Sequence, residues 1–178
     1  ANMGWHLRSR QMRALLETLR SINRESPGKV RLAGFDMSWG DTARRYVTDF
    51  IRRTVSSHLE AVENWYAPLL ALRPGSLNPG AREASGAARH VAELLDRLRP
   101  QLVEVVGEPR WRRARHAAEI VCQAATYLAE GQAPGYRDQM MARNVGWLAE
   151  EEFPGQKILL WAHNSHISFW SDVASRPM

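Results

Sequence analysis

Cysteine occurs once, at Cys122, and lysine only twice, at Lys29 and Lys157, in a chain of 178 residues. A single thiol excludes an internal disulfide and any cysteine-rich zinc site. Its surroundings, Ile-Val-Cys-Gln-Ala-Ala, read as a helix interior, which assigns Cys122 to the core rather than to nucleophilic chemistry. So little cysteine fits a reducing compartment, and a cytoplasmic location is expected. No apolar run approaches the roughly 20 residues that span a bilayer, and no charged-then-apolar leader marks the chain for export. G-x-S-x-G is absent, so no serine nucleophile on a strand-to-helix elbow is expected. H-E-x-x-H is absent too, and no second histidine cluster replaces it.

What the chain does have is arginine. The 24 basic residues, all arginine apart from the two lysines, face 19 acidic ones, for a net charge of +5 and a pI near 10.0. Such a balance points to acidic partners, nucleic acid among them. The arginines, however, are interleaved with acids along helical stretches. The densest patch, P-R-W-R-R-A-R-H at 109–116, falls at a helix start, where cations are electrostatically disfavoured. The expectation is a solvated helical face, not a nucleic-acid interface.

At 44% hydrophobic residues, the length suffices for one domain with a real core. Met12, Leu15, Leu16, Leu19 and Ile22 recur at helical spacing between Ser9 and Arg24, one apolar stripe. Pro27-Gly28 breaks it, and K-V-R-L-A-G-F alternates as a strand over 29–35. A helix capped by Asp41 or Thr42 carries Tyr46, Val47, Phe50 and Ile51 on one face and continues through Leu59 and Val62 to Trp65. R-P-G-S-L-N-P-G at 73–80 is a loop. A helix from about Arg82 shows Ala88, Val91, Leu94, Leu95 and Leu98 before Pro100. The next runs from Pro109 to Glu130, with proline in its first turn and Gly131 just past its end. A shorter helix over 137–151 precedes a turn at 153–156 and a second strand at 157–162. Two strands separated by more than 100 mostly helical residues imply a parallel arrangement. The fold class expected is therefore α/β: mostly helical here, with two parallel strands that belong to a larger sheet. One domain, 1–178, is expected as an incomplete segment of a longer chain.

Ligands of open α/β sheets bind beyond the carboxyl ends of the strands. Asp36 lies at that end of the first predicted strand, and W-A-H-N-S-H at 161–166 at that end of the second. If the strand stops at Ala162 and a turn follows, His163 and His166 can face one point. Two imidazoles there can bond a carbonyl, stabilise an oxyanion or bind a metal; equally, both can be structural. A metal would need a third ligand that the sequence does not supply, so none is predicted. Arg137 and Asp138 open the 137–151 helix. Asp138 suits a cap, whereas Arg137 can hold a carboxylate or a substrate oxygen at two points. His6, His58, His90 and His116 read as structural or exposed. Trp5, Trp39, Trp147 and Trp161 can line an apolar pocket, although core packing is the commoner use.

In order along the chain, W-H-L-R-S-R-Q-M-R-A-L-L-E-T-L-R-S-I-N, K-V-R-L-A-G-F-D-M, Y-R-D-Q-M-M-A-R-N-V-G-W-L and K-I-L-L-W-A-H-N-S-H-I resemble successive blocks of the erythromycin esterase family. Its members open macrolide antibiotics by hydrolysing the ring ester. Between about Thr42 and Gln132 only the helical character is similar. The resemblance implies an α/β core with large helical elements and an active-site cleft containing His163 and His166. Arg137 and Asp138 match its R-D block, and with Asp36 they are the expected substrate contacts. It also implies a general-base histidine in a G-E-x-x-H-G block, which these residues do not contain. The chain is thus expected to be a segment of a longer polypeptide or a degenerate relative. The function implied is hydrolysis of an ester or lactone by activated water, with a small-molecule substrate and no cofactor. The alternative is a non-catalytic binding remnant. An unpaired sheet edge would invite self-association.

Overall fold

A computed structural model describes residues 9–73, 78–163 and 166, and the chain divides into two compact units, 1–35 and 36–178. In the first, α1 (Arg10–Glu25) starts at Ser9, whose hydroxyl accepts the Met12 N–H at 3.1 Å, a side-chain cap for a helix end that has no internal acceptor. Gly28, at φ 76°, turns the chain after the helix in a backbone conformation that side chains resist. Asn23 then fastens the returning segment, donating to the Val30 carbonyl at 2.7 Å and accepting its N–H at 2.9 Å.

The second unit is built from α2 (Asp41–Thr54), α3 (Leu59–Tyr66), α4 (Ala81–Arg97), α5 (Arg99–Val106), α6 (Glu108–Ala129) and α7 (Pro134–Trp147). Val47 and Ile51 of α2, Val62 and Tyr66 of α3, Val91 and Leu95 of α4 and Val121 of α6 meet in one buried cluster. Small residues set the closeness of α4 and α6: Ala84, Ala88 and Ala92 on one, Ala114, Ala118 and Ala125 on the other, all buried. Ser85 and Thr126 share a 2.9 Å hydrogen bond across them. The chain breaks between α4 and α5 because Pro100 has no N–H to continue the helical ladder. Nearby, the indole N–H of Trp111 donates to the Leu95 carbonyl at 2.9 Å. Helix α2 ends at Thr54, and a short 3-10 turn at Ser56–His58 separates it from α3, so the single helix expected from 41 to 65 is two.

The predicted parallel strands do not form. Among the described residues there is no strand, and 30–35 and 157–162 take no regular secondary structure. An extended run becomes a strand only when a neighbour accepts and donates its backbone hydrogen bonds. The apolar side chains that suggested buried strands are instead exposed: Leu32 by 68%, Leu159 by 95% and Trp161 by 63%. The described fold is helical, not α/β. Among the described residues no helix is long and apolar enough to cross a membrane.

Candidate functional site

With no sheet edge among the described residues to gather them, the chemistry-bearing residues are collected by the first turns of α7. Gly131 and Gln132, at φ 70° and 64°, reverse the chain after α6, and the Gln132 N–H closes the turn on the Tyr127 carbonyl at 2.8 Å. Proline at the first helical position then starts α7, which has no side-chain cap. Asp138 is therefore not spent on capping. Arg137 and Asp138 are adjacent in the helix, about 100° apart around its axis, and each reaches a different partner.

Arg137 grips Asp36 at two points, Nε to Oδ1 at 3.2 Å and Nη2 to Oδ2 at 2.6 Å. Asp36 also accepts the Ser38 N–H at 3.0 Å and the Ser38 hydroxyl at 2.6 Å, an Asx turn. Burial works against ionisation of this carboxyl, but the bonds from Arg137 and Ser38 together outweigh it and hold the pKa below its ordinary value. Asp138 meets His166: its Oδ1 lies 2.6 Å from the imidazole Nδ1, with the His166 side chain only 20% exposed. With Nδ1 carrying the proton, Nε2 keeps its lone pair. The His166 N–H donates to the His163 carbonyl at 2.9 Å, a turn directly after the irregular 157–162 run. His163 has an exposed side chain, and the contact with Asp138 belongs to His166. Asn164, Ser165, Trp5 and His6 lie outside the described residues.

Helix α7 is held against α6 by contacts that periodicity did not point to. Gln123 and Asn144, both buried, exchange amide hydrogen bonds of 3.1 and 3.0 Å. The signal was a polar residue, Asn144, at helical spacing from Met140 and Met141. His116 stacks on Trp147 with ring centroids 3.8 Å apart and planes 3° from parallel. Burial there pushes the imidazole down to about 4, so it is neutral at physiological pH. Arg112 pairs with Glu151 at 2.6 Å and Arg113 with Glu152 at 2.7 Å, while Arg115 pairs with Asp96 at 2.8 Å. The dense arginine patch is thus used largely in joining helices of this unit. Cys122 is half-buried, and burial pushes its thiol up to about 11, which leaves little thiolate for chemistry.

Among the described residues no group of three or more histidine, cysteine or acidic side chains could hold a metal ion. The arrangement offers instead a guanidinium fixed by one carboxylate and an imidazole held by another, carried through consecutive residues of α7. The family model described as erythromycin esterase matches residues 2–177. No curated protein and no solved structure matches the chain.

Proposed function

The chain belongs to the erythromycin esterase family, and from that premise we propose that it acts in hydrolysing an ester or lactone, of the macrolide type, with water as the nucleophile. The observation that carries this reading is the 2.6 Å contact between Asp138 and His166. A carboxylate on Nδ1 fixes the tautomer, aims Nε2 at water or the ester, and stabilises positive charge on the ring when a proton is shared. Arg137 commits Nε and Nη2 to Asp36, which leaves its Nη1 hydrogens for the carbonyl oxygen. Negative charge grows on that oxygen as water adds, and a guanidinium already locked in place stabilises it without reorganising. Collapse of the tetrahedral intermediate breaks the C–O bond. The proton that the attacking water gives up is held on His166 Nε2 and passes to the leaving alkoxide, which becomes the alcohol, while the new carboxylic acid loses its proton to solvent and is left as a carboxylate. His163, one turn before His166, is assigned to orienting the substrate. No metal and no cofactor enters the scheme, and the substrate is a small molecule met in the cytoplasm.

A second reading keeps the ligand site without turnover. It makes the chain a non-catalytic module that binds ligands in the same cleft. Incubation with a macrolide panel separates the two, with His163→Ala and His166→Ala as variants. Ring opening that falls in the variants supports the hydrolase; rates equal to the parent in both remove the assigned roles.

A further inference from the structure

Beside the Asp36 turn lies a cavity of about 350 Å³ enclosed by the start of α2, the 3-10 turn at Ala67–Ala71 and the second half of α6. Its walls are apolar: Leu69, Leu72, Val121, Ala125 and Leu128, with Trp39 and Leu70 also contributing. Trp39 and Leu70 are 69% and 55% exposed, large apolar surface on residues that otherwise face water.

Two features tie this space to the candidate site. Ser38 lines the cavity and is also the residue whose amide and hydroxyl bond Asp36, the partner of Arg137. The wall itself depends on a close approach: a Cβ at Gly40 would sit 2.9 Å from the Ala124 Cβ, so glycine lets the turn lie against α6. The charged groups of the lining are two guanidiniums, Arg44 and Arg73, against one carboxylate, Asp41. Arg44 is paired with that carboxylate at 2.7 Å. Arg73 donates to the Leu70 and Leu72 carbonyls and has no carboxylate partner among the described residues. The excess charge favours an anionic or oxygen-rich ligand end. The volume sits at the lower end of the about 300–1,000 Å³ typical of small-molecule sites, which suits a compact aliphatic chain better than a large ring system.

We propose that this cavity binds the acyl side of the scissile ester, seating a medium-length stretch of its alkyl chain while the carbonyl end faces the Asp36–Arg137 pair. The choice of an acid as ligand rests on the hydrolase reading above; the existence of an apolar ligand site does not.

Calorimetric titration of the protein with acetate, butyrate, hexanoate and octanoate, and with 1-octanol as the neutral control, tests the proposal. Affinity should rise by up to about fourfold per added methylene and level off once the cavity is full, and octanoate should bind more tightly than octanol. Leu70→Trp and Leu128→Trp fill the cavity from partly exposed positions that tolerate a larger ring, and circular dichroism verifies their helices. Both should abolish the chain-length dependence. Affinity independent of chain length, or unchanged in both folded variants, overturns the proposal, as does octanol binding as tightly as octanoate. Hydrolysis of p-nitrophenyl octanoate is followed separately. Chain-length-dependent binding with no turnover of either the macrolide panel or p-nitrophenyl octanoate removes the hydrolase reading and leaves the cavity assignment standing, whereas turnover with acid affinity independent of chain length does the reverse.

Discussion

Asp36 and Arg137, 101 positions apart in the chain, are joined by two parallel hydrogen bonds, the shorter 2.6 Å. Lysine cannot reproduce that fork, so Arg137→Lys should weaken the pair although the charge is kept. Both side chains are partly exposed, at 30% and 39%, and the stability at stake is about 1 kcal/mol. Its pH dependence has a definite sign. The Asp36 pKa is lowered from 3.8, so the folded state favours the ionised form. The contribution is complete well above pH 3.8 and disappears as pH falls through the lower folded value. Acid unfolding of the parent and Asp36→Asn should therefore differ at neutral pH and converge at the acid end.

Gly40 presses on α6. Gly40→Ala would bring a methyl to 2.9 Å from the Ala124 Cβ, and either the turn or the helix must move. Overpacking of this kind costs about 1–3 kcal/mol. The double variant Gly40→Ala/Ala124→Gly should recover much of the loss in thermal unfolding. No recovery would show that the contact is not the cause.

The Gln123–Asn144 pair is buried, and removing one amide strands the other. Asn144→Leu should cost about 1–3 kcal/mol, and adding Gln123→Leu should return part of it, since an apolar pair leaves no unsatisfied group. Denaturant unfolding of the four proteins of the cycle measures this.

Burial against Trp147 disfavours the imidazolium of His116 and pushes its pKa down to about 4. Unfolded, the ring takes its proton near 6.5, so the unfolded chain binds more protons between those values. Stability should fall as pH drops from 6.5 toward 4. In His116→Phe, which preserves the stack, that part of the pH dependence should be missing. A His116 midpoint above 6 by nuclear magnetic resonance would contradict the stacked, half-buried placement.

Helices were legible in the sequence because their apolar residues repeat every three or four positions. Val47 and Ile51, or Val91 and Leu95, are buried as that spacing requires. Proline and glycine marked the edges of α6 equally well: Pro109 in its first turn, and Gly131 at φ 70° beyond its end. Val55, where α2 stops short of α3, carried no such mark. The strands were misjudged for a different reason. Apolar, β-prone content at 157–162 states a preference, but a strand exists only through partners, and Leu159 at 95% exposure has none packed on it. The site lay between these cases. Asp36, Arg137, Asp138 and His166 stood out one by one, whereas their pairing crosses up to 101 positions and has no local signature. His116 was read as structural or exposed, and its stack on Trp147 is a contact between two helices that neither helix's own periodicity contains.

On the proposed reading, Asp138 sets the His166 imidazole for ester hydrolysis. The most direct measurement is kcat/KM for macrolide ring opening by the parent and Asp138→Asn, with circular dichroism matched. A loss of about 100-fold or more is expected, because the amide no longer fixes the tautomer or stabilises the imidazolium. Equal kcat/KM for the two proteins would contradict it.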